Sequence, residues 1–436
     1  MKSKVLLFNL PPAGGNLYPV SLGYIAASLT KNSIETAIAE IDEITSRTGQ
    51  SIANFVIDFK PCVVGFSVYQ ANIRLAVQLA KLIKMIDPFI YVVIGGPQAT
   101  FMPSGALLQM PSVDAIVRGE GEVVMPALVK ALEKKSSLTR VKGIAFKKGV
   151  KIFETSPERF SQKLDQFPSP YKAGSFDLSQ KKIAVMLTSR GCYFNCAFCY
   201  TPRAFNRTIR AHSPSRILDD MEICVKQGGS KFFFADPSFT FDKKRVEKIM
   251  RGIIARKWKI SIWCETRADL VDEKLLALMA KAGVSHVAYG LESSDEAVNS
   301  AINKTQDLAR FEKIVKVTQS LGIETEVFTL YGLPGQTLDS AVRTLDLLKC
   351  LGIKITGNSA GQQLMLFFGT AITDDPGKYG IRVLKNKRRP LYLSAGHNFR
   401  TESMGLKDIA AIAKRYAREG KRSAVNLRSH KPAGLV

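Results

Sequence analysis

The sequence predicts an α/β fold in two parts: an N-terminal, Rossmann-like doubly wound parallel sheet and then a partial (β/α)6 barrel. Three observations carry this reading. Short apolar runs alternate with helical periodicities along most of the chain. The alternation breaks once, at 136–181, where Phe167-Pro168-Ser169-Pro170-Tyr171 reads as extended linker. A length of 436 residues calls for two to three domains. The expected division is 1–135, a linker at 136–181, a barrel at 182–370 and a basic C-terminal region at 371–436.

In the first part, Val5–Leu10, Thr36–Ile41, Val63–Val68, Tyr91–Ile94 and Ala115–Val117 are apolar runs suited to buried strands. Helical patterns lie between them at roughly 21–31, 49–59, 72–86 and 122–134. The last two strands run into Gly95-Gly96-Pro97 and Gly119-Glu120-Gly121-Glu122. Glycine there lets backbone approach a bulky ligand, and ligands bind such sheets at the carboxyl ends of the strands. The first strand lacks the Gly-x-Gly-x-x-Gly of a dinucleotide site.

The second part opens with the run 183–188. Helices are expected at 214–227, 242–256 and 272–281, then a helical pattern to about 320, and a helix at 338–350. Strands are expected at 231–235, 259–264, 284–290, 323–331 and near 363–367. Ser213 before Pro214, and Asp272, are N-cap signals; Gly228, Gly283, Gly322 and Gly352 are stops. In a barrel, chemistry gathers in the loops after the strands. Those loops hold Cys192/Cys196/Cys199, Asp236, Glu265-Thr266-Arg267, Glu292 and Tyr331-Gly332-Leu333-Pro334-Gly335.

Composition limits the functional classes. Apolar residues are 46% of the chain, enough for sizeable cores. No apolar run approaches the ~20 residues that cross a bilayer, and Pro11-Pro12 breaks the first strand too early for a secretory signal. Seven cysteines are few and odd in number, which argues against a disulfide framework and for a cytoplasmic protein. The net charge is +24, and residues 382–436 carry 14 lysines and arginines against Glu402, Asp408 and Glu419. That tail either attracts an anionic partner or is a solvated surface. Leu406, Ile409, Ala413, Tyr416 and Ala417 recur at helical spacing, so a C-terminal helix either lies on a membrane or packs on its own domain.

Cys192-x3-Cys196-x2-Cys199 follows directly on the 183–188 strand. Zinc would want four ligands, and His212, thirteen residues on, is an awkward fourth. A [4Fe–4S] cluster normally takes four thiolates. A local supply of three points to one iron left open for a non-protein ligand.

This loop, with Phe198 in the aromatic position before the last cysteine, resembles the signature of the radical SAM superfamily. Val287-Ala-Tyr-Gly290-Leu-Glu292-Ser293 and Leu330-Tyr-Gly-Leu-Pro-Gly-Gln-Thr337 are similar to its fourth- and fifth-strand motifs. The resemblance implies a [4Fe–4S] cluster on Cys192, Cys196 and Cys199, with S-adenosylmethionine on the open iron. One electron from the cluster would then yield a 5′-deoxyadenosyl radical. Phe198, Tyr200, Gly290, Glu292 and Tyr331 would border S-adenosylmethionine, and Arg267 and Asp236 would contact its ribose or amino acid part. Asp236 departs from the Gly-Gly-Glu often found there. Glu292 also fits a helix N-terminal carboxylate, and Arg267 a pair with Glu265.

Asn9-Leu-Pro-Pro12, Tyr18-Pro-Val-Ser-Leu-Gly23-Tyr, Gly95-Gly-Pro-Gln-Ala-Thr100 and Arg118-Gly-Glu-Gly-Glu122 resemble the cobalamin-binding domain of the class B members. The implied cobalamin contacts are Pro11, Pro12, Tyr18, Ser67, Gly95, Gly96, Pro97, Gly119 and Glu120. Asp-x-His-x-x-Gly is absent and residues 1–150 contain no histidine, so none from this domain can ligate cobalt from below. The family implies methyl transfer from cobalamin to an unactivated carbon of a small-molecule or peptide substrate. It also implies an external electron donor such as flavodoxin or ferredoxin, and no general base is nominated. Ring formation, contraction or oxidation with the same cofactors is the alternative. A cobalamin-binding sensor or nucleic-acid binder is a third, although nucleic acid is not the expected partner. Sulfur insertion fits poorly, since only Cys62 precedes Cys192.

Overall fold

The computed structural model describes residues 3–11, 16–41, 48–180, 182–356, 359–386 and 388–429. Pro12 lies outside them. The first sheet has seven strands: β1 (Lys4–Asn9), β2 (Glu35–Glu40), β3 (Val63–Ser67), β4 (Tyr91–Gly95), β5 (Ala115–Val117), β6 (Ile144–Lys148) and β7 (Lys151–Glu154). Their spatial order is β2-β1-β3-β4-β5-β6-β7, parallel through β5. Helices α1 (Val20–Lys31), α2 (Thr48–Phe59), α3 (Ile73–Ile86), the short α4 (Pro97–Phe101) and α5 (Gly121–Glu133) cover it. The two-residue period of a strand explains the continuous apolar run of β1. Val5 and Leu7 enter the core under α1 and α5, while Leu6 and Phe8 enter the core under α2 and α3. In α3, Ile73, Ala76, Ala80 and Ile83 are buried at helical spacing, which sets the face it lays on the sheet.

The segment expected as linker differs from the reading above. It adds β6 and β7 to the sheet as an antiparallel pair. Ile144, Ala145 and Phe146 are buried, but three apolar residues between Gly143 and Lys147 are too short a run to signal a strand.

The second sheet begins at β8 (Ala184–Met186). The antiparallel hairpin β9 (Ser189–Gly191) and β10 (Ile209–Ala211) then encloses the three cysteines and the short α6 (Thr201–Ala204). Next come α7 (Pro214–Lys226), β11 (Lys231–Phe234), α8 (Lys243–Ala255), β12 (Ser261–Thr266), α9 (Glu273–Lys281) and β13 (Val284–Glu292). The expected helical stretch to 320 is two helices, α10 (Glu296–Ala301) and α11 (Leu308–Ser320), each with its own aspartate N-cap. β14 (Glu324–Tyr331), α12 (Leu338–Cys350) and a two-residue β15 (Gln362–Gln363) finish an open parallel sheet ordered β15-β14-β13-β12-β11-β8. Side chains of Ser213, Asp242, Asp272, Asp295, Asp307 and Thr337 accept from backbone N–H groups at the starts of their helices. Each such cap contributes about 1 kcal/mol.

The C-terminal region adds α13 (Ala371–Asp374), a hairpin of β16 (Ile381–Val383) and β17 (Phe399–Thr401), and α14 (Leu406–Ser429). Helix α14 packs on the barrel. Ile409, Ile412 and Tyr416 join its core, and Tyr416 stacks on Tyr331 with centroids 5.9 Å apart. Among the described residues no helix is long and apolar enough to cross a membrane.

Candidate functional site

The cysteine loop is held at several points by the strand ends around it. At its root, Asp236 is 1% exposed and accepts from Thr188 Oγ1 (2.7 Å), Ser189 Oγ (2.7 Å) and the Ser189 amide. Burial pushes this carboxyl up, against the pull of Arg245 and these donors. Arg245 in turn donates to Thr188 O at 2.6 Å. Gly191 has φ +93°, and a Cβ there would lie 2.0 Å from Thr208 O, so only glycine fits between Arg190 and Cys192. In the middle of the loop, Ala197 N donates to Ile302 O (2.8 Å) and its carbonyl accepts from Ile372 N (3.1 Å).

Charged side chains at the mouth are tied in pairs. Arg267 donates to both oxygens of Asp269 (2.9 and 2.7 Å) and to Thr305 O, and lies 4.0 Å over the Phe194 ring. Its partner is therefore Asp269, two residues on, rather than Glu265. Glu292, at φ +64°, accepts from Lys304 Nζ at 2.6 Å, and both side chains are buried. Gly290 makes room for that pair: a Cβ there would lie 2.5 Å from Nζ. Glu265 makes no described hydrogen bond. Burial and the carboxylates of Glu326 and Asp236 push it up to about 7.

Burial pushes all three loop thiols up; Arg267 and Lys304 pull Cys192 and Cys196 the other way. Among the described residues, no three His, Cys, Asp or Glu side chains are placed to hold a single metal ion. Three free thiols on one short loop, beside the cations of Arg267 and Lys304, fit a cluster that takes three protein thiolates. Iron would displace their protons as it assembled.

A cleft of about 1430 Å³ separates this loop from the first sheet. It lies over the carboxyl ends of β1, β3, β4 and β5, where strand order reverses and such sheets bind ligands. Five glycines, Gly65, Gly95, Gly96, Gly119 and Gly121, line it beside apolar side chains such as Leu7, Val93 and Val117. Gly96 has φ +98°, and a Cβ there would press on the Val68 backbone at 3.0 Å. Among the described residues, no histidine lines the cleft. A largely apolar, glycine-rich cradle at this switch point fits cobalamin, and no described residue offers an imidazole from below. Tyr200 and Thr201, directly after Cys199, form part of its opposite wall.

The two walls are clasped by a buried ion cluster that sequence reasoning missed. Arg190 pairs with Glu120 and Glu122 (2.7 Å each), and Arg210 pairs with Glu120 (2.7 Å). Arg190 also lies over the rings of Tyr24 and Phe167, and Arg210 over Phe160 and Phe205. The only sequence signal was the position of Arg190 two residues before Cys192.

Among the expected cobalamin contacts, Ser67, Gly95, Gly96, Pro97, Gly119 and Glu120 line the cleft, and Glu120 is also committed to the clasp. Tyr18 and Pro11 do not line it. Tyr18 is buried against Tyr171 and Phe176, its hydroxyl donating to Asp177 O. Among the residues expected around S-adenosylmethionine, Gly290, Glu292 and Arg267 reach the mouth beside the loop. Phe198 packs in a small apolar core behind it. The Tyr331 side chain turns away to Tyr416, and the Asp236 carboxylate holds the loop root.

Family models match at two places: the B12 binding domain over residues 9–129 and the Radical SAM superfamily over 186–348. An uncharacterized methyltransferase of Pyrococcus horikoshii is 30% identical, covering 81% of this chain and 79% of its own. The anaerobic magnesium-protoporphyrin IX monomethyl ester cyclase of Rubrivivax gelatinosus is 29% identical over 76% of this chain and 61% of its own. Two solved structures share the fold. The radical S-adenosylmethionine methyltransferase TsrM of Kitasatospora setae, with cobalamin and a [4Fe–4S] cluster, has a TM-score of 0.74 at 18% identity, covering 96% of this chain and 82% of its own. The cobalamin-dependent S-adenosylmethionine radical enzyme OxsB has a TM-score of 0.77 at 18% identity, covering 98% and 71%. With both family models in order on one chain, a three-cysteine loop at a barrel mouth and a glycine-floored cleft facing it, this protein belongs to the cobalamin-binding radical SAM family, whose cofactors are a [4Fe–4S] cluster, S-adenosylmethionine and cobalamin.

Proposed function

We propose that this enzyme is a methyltransferase that places a methyl group on an unactivated carbon. One observation carries the reading: Tyr200 and Thr201, next to Cys199, line the same cleft as Gly96 and Gly119. A substrate between the two walls would sit within reach of both cofactors. When bound, the cluster with S-adenosylmethionine supplies a hydrogen-abstracting radical, and cobalamin supplies the methyl group.

The protein's own residues bind and align. Cys192, Cys196 and Cys199 hold the cluster. Gly290, Glu292 with Lys304, and Arg267 with Asp269 border S-adenosylmethionine. Gly95, Gly96, Pro97, Gly119 and Ser67 seat the corrin. Asp236 and Arg245 fix the start of the loop, and the Arg190 clasp sets the separation of the two walls. The Pyrococcus relative carries a methyltransferase name, which supports the reading, while the cyclase relative keeps ring formation as the second.

The test needs no substrate at first. With S-adenosylmethionine carrying a labelled methyl group, the label should be recovered with the bound cobalamin. With candidate substrates, the product should then gain the labelled methyl. Formation of 5′-deoxyadenosine and a product with no label, under conditions where cobalamin is bound, would replace methyl transfer by the ring-forming reading.

A further inference from the structure

A second pocket, of about 1000 Å³, opens beside the cofactor cleft. One wall is Gln70 and Arg74, at the start of α3. The other is the C-terminal segment around Arg388, Arg389, Ser394 and His397. Two neighbours fix its place. Gln70 follows Tyr69, which lines the cofactor cleft, and Met365 in the pocket lies two residues past the end of β15, the last barrel strand. The pocket therefore lies at the carboxyl end of the barrel, on its open edge and beside the cofactor cleft.

The chemistry of the lining is one-sided. Among the described residues it holds three arginines and a histidine and no carboxylate. Elsewhere in the chain, Arg118, Arg190, Arg203 and Arg210 are each committed to a carboxylate. No described ion pair involves Arg74, Arg388 or Arg389. Arg389 Nη1 is buried with no hydrogen-bond partner, a cost that a bound acceptor would remove. The wall behind is firm. Gln70 Oε1 accepts from Ser394 N (3.1 Å), Ser394 Oγ (2.9 Å) and Gln98 Nε2 (2.9 Å), and Gln98 Nε2 also donates to Tyr392 O (2.8 Å). These bonds lock the basic segment onto the first domain. His397 is held by Nδ1 donation to Leu364 O at 3.2 Å.

We infer that this pocket binds the anionic end of the substrate, a phosphoryl or polycarboxylate group. Arginine forks suit such groups because they donate paired hydrogen bonds to planar or tetrahedral oxyanions. Three arginines gathered around one open pocket, Arg74 and Arg388 exposed and Arg389 half-buried, fit a small anion better than an extended nucleic-acid backbone. The anchored anion would leave the rest of the substrate to extend along the Tyr69 side into the cofactor cleft. The basic C-terminal region thereby acquires a specific role at residues 388–389, where net charge alone gave none.

The role in substrate binding rests on the methyltransferase reading; the anion binding does not. The experiment is titration calorimetry of the full-length protein, loaded with cluster and cobalamin, using pyrophosphate and citrate as separate probes. Arg388→Ala/Arg389→Ala and, on the opposite wall, Arg74→Ala should each weaken the preferred anion roughly tenfold or more. Lys248→Ala/Arg251→Ala, on the exposed face of α8, removes equal charge and should leave binding unchanged. Preference for pyrophosphate assigns a phosphoryl group, and preference for citrate a carboxylate. Equal loss in the control and the pocket variants, or no measurable binding of either probe, would overturn the proposal. Labelled methyl still recovered with cobalamin in that case would show that the pocket reading alone had failed.

Discussion

The two sheets end in different chemistry. The first brings glycines to the cleft, with Glu120 and Glu122 held in the arginine clasp; the second carries charged side chains at the barrel mouth, almost all tied in pairs. A broad, mostly apolar macrocycle needs area and closeness, which missing Cβ atoms provide. A small, charged cofactor at a cluster needs fixed charges, and fixed charges in a buried site need partners. Glycine floors leave almost nothing to titrate, whereas a paired mouth concentrates electrostatics where radical chemistry starts.

The largest effect expected from breaking this contrast comes from the cysteines. Changing Cys192, Cys196 and Cys199 to alanine should abolish cluster absorbance and cleavage of S-adenosylmethionine, yet leave cobalamin binding intact. Loss of both cofactors together would mean that the sheets do not act as separate seats. The next largest sits where they meet. Arg190→Met leaves Glu122 buried without its partner, and loss of one member of such a cluster costs about 3–5 kcal/mol. Urea unfolding should show that loss; a change under about 1 kcal/mol would mean that the clasp is solvated.

Glu265 is the exception among the mouth carboxylates, since no described side chain pairs with it. Its native carboxyl is raised from 4.5 to about 7, so the folded protein binds that proton more tightly than the unfolded chain. Stability should therefore fall as pH rises through that window, by at most about 3 kcal/mol, and Glu265→Gln should flatten the slope. An unchanged slope in the variant would place the titration elsewhere. The smallest effect is among the cleft glycines. Gly95→Val meets only Val117 at ordinary distance, so the protein should fold while cobalamin affinity drops about tenfold, read by equilibrium dialysis.

Much of this was legible because the signals were local. Strand β1 declares both of its faces in Val5-Leu6-Leu7-Phe8, and Ser213-Pro214 or Asp272 mark helix starts within one turn. Cys192, Cys196 and Cys199 lie within eight residues of each other. What stayed hidden was non-local or too short. Arg190 pairs with Glu120 across 70 positions, and nothing in either neighbourhood marks the other. Lys304 follows a short helix and reveals its role only when β13 delivers Glu292 beside it. Strands β6 and β7 escaped because a buried trio of residues carries no period. Tyr18, Tyr331 and Asp236 sit in motifs that reach the site, but tertiary packing turned their side chains to other tasks.

The central claim is that the cluster loop and the cobalamin cradle face one another across one cleft. Electron paramagnetic resonance tests it most directly, on protein reconstituted with both cofactors and reduced so that cluster and cobalt are paramagnetic. The cobalt signal should broaden or split through coupling to the cluster, and revert in the triple cysteine variant. A cobalt spectrum identical with and without the cluster would contradict the shared cleft.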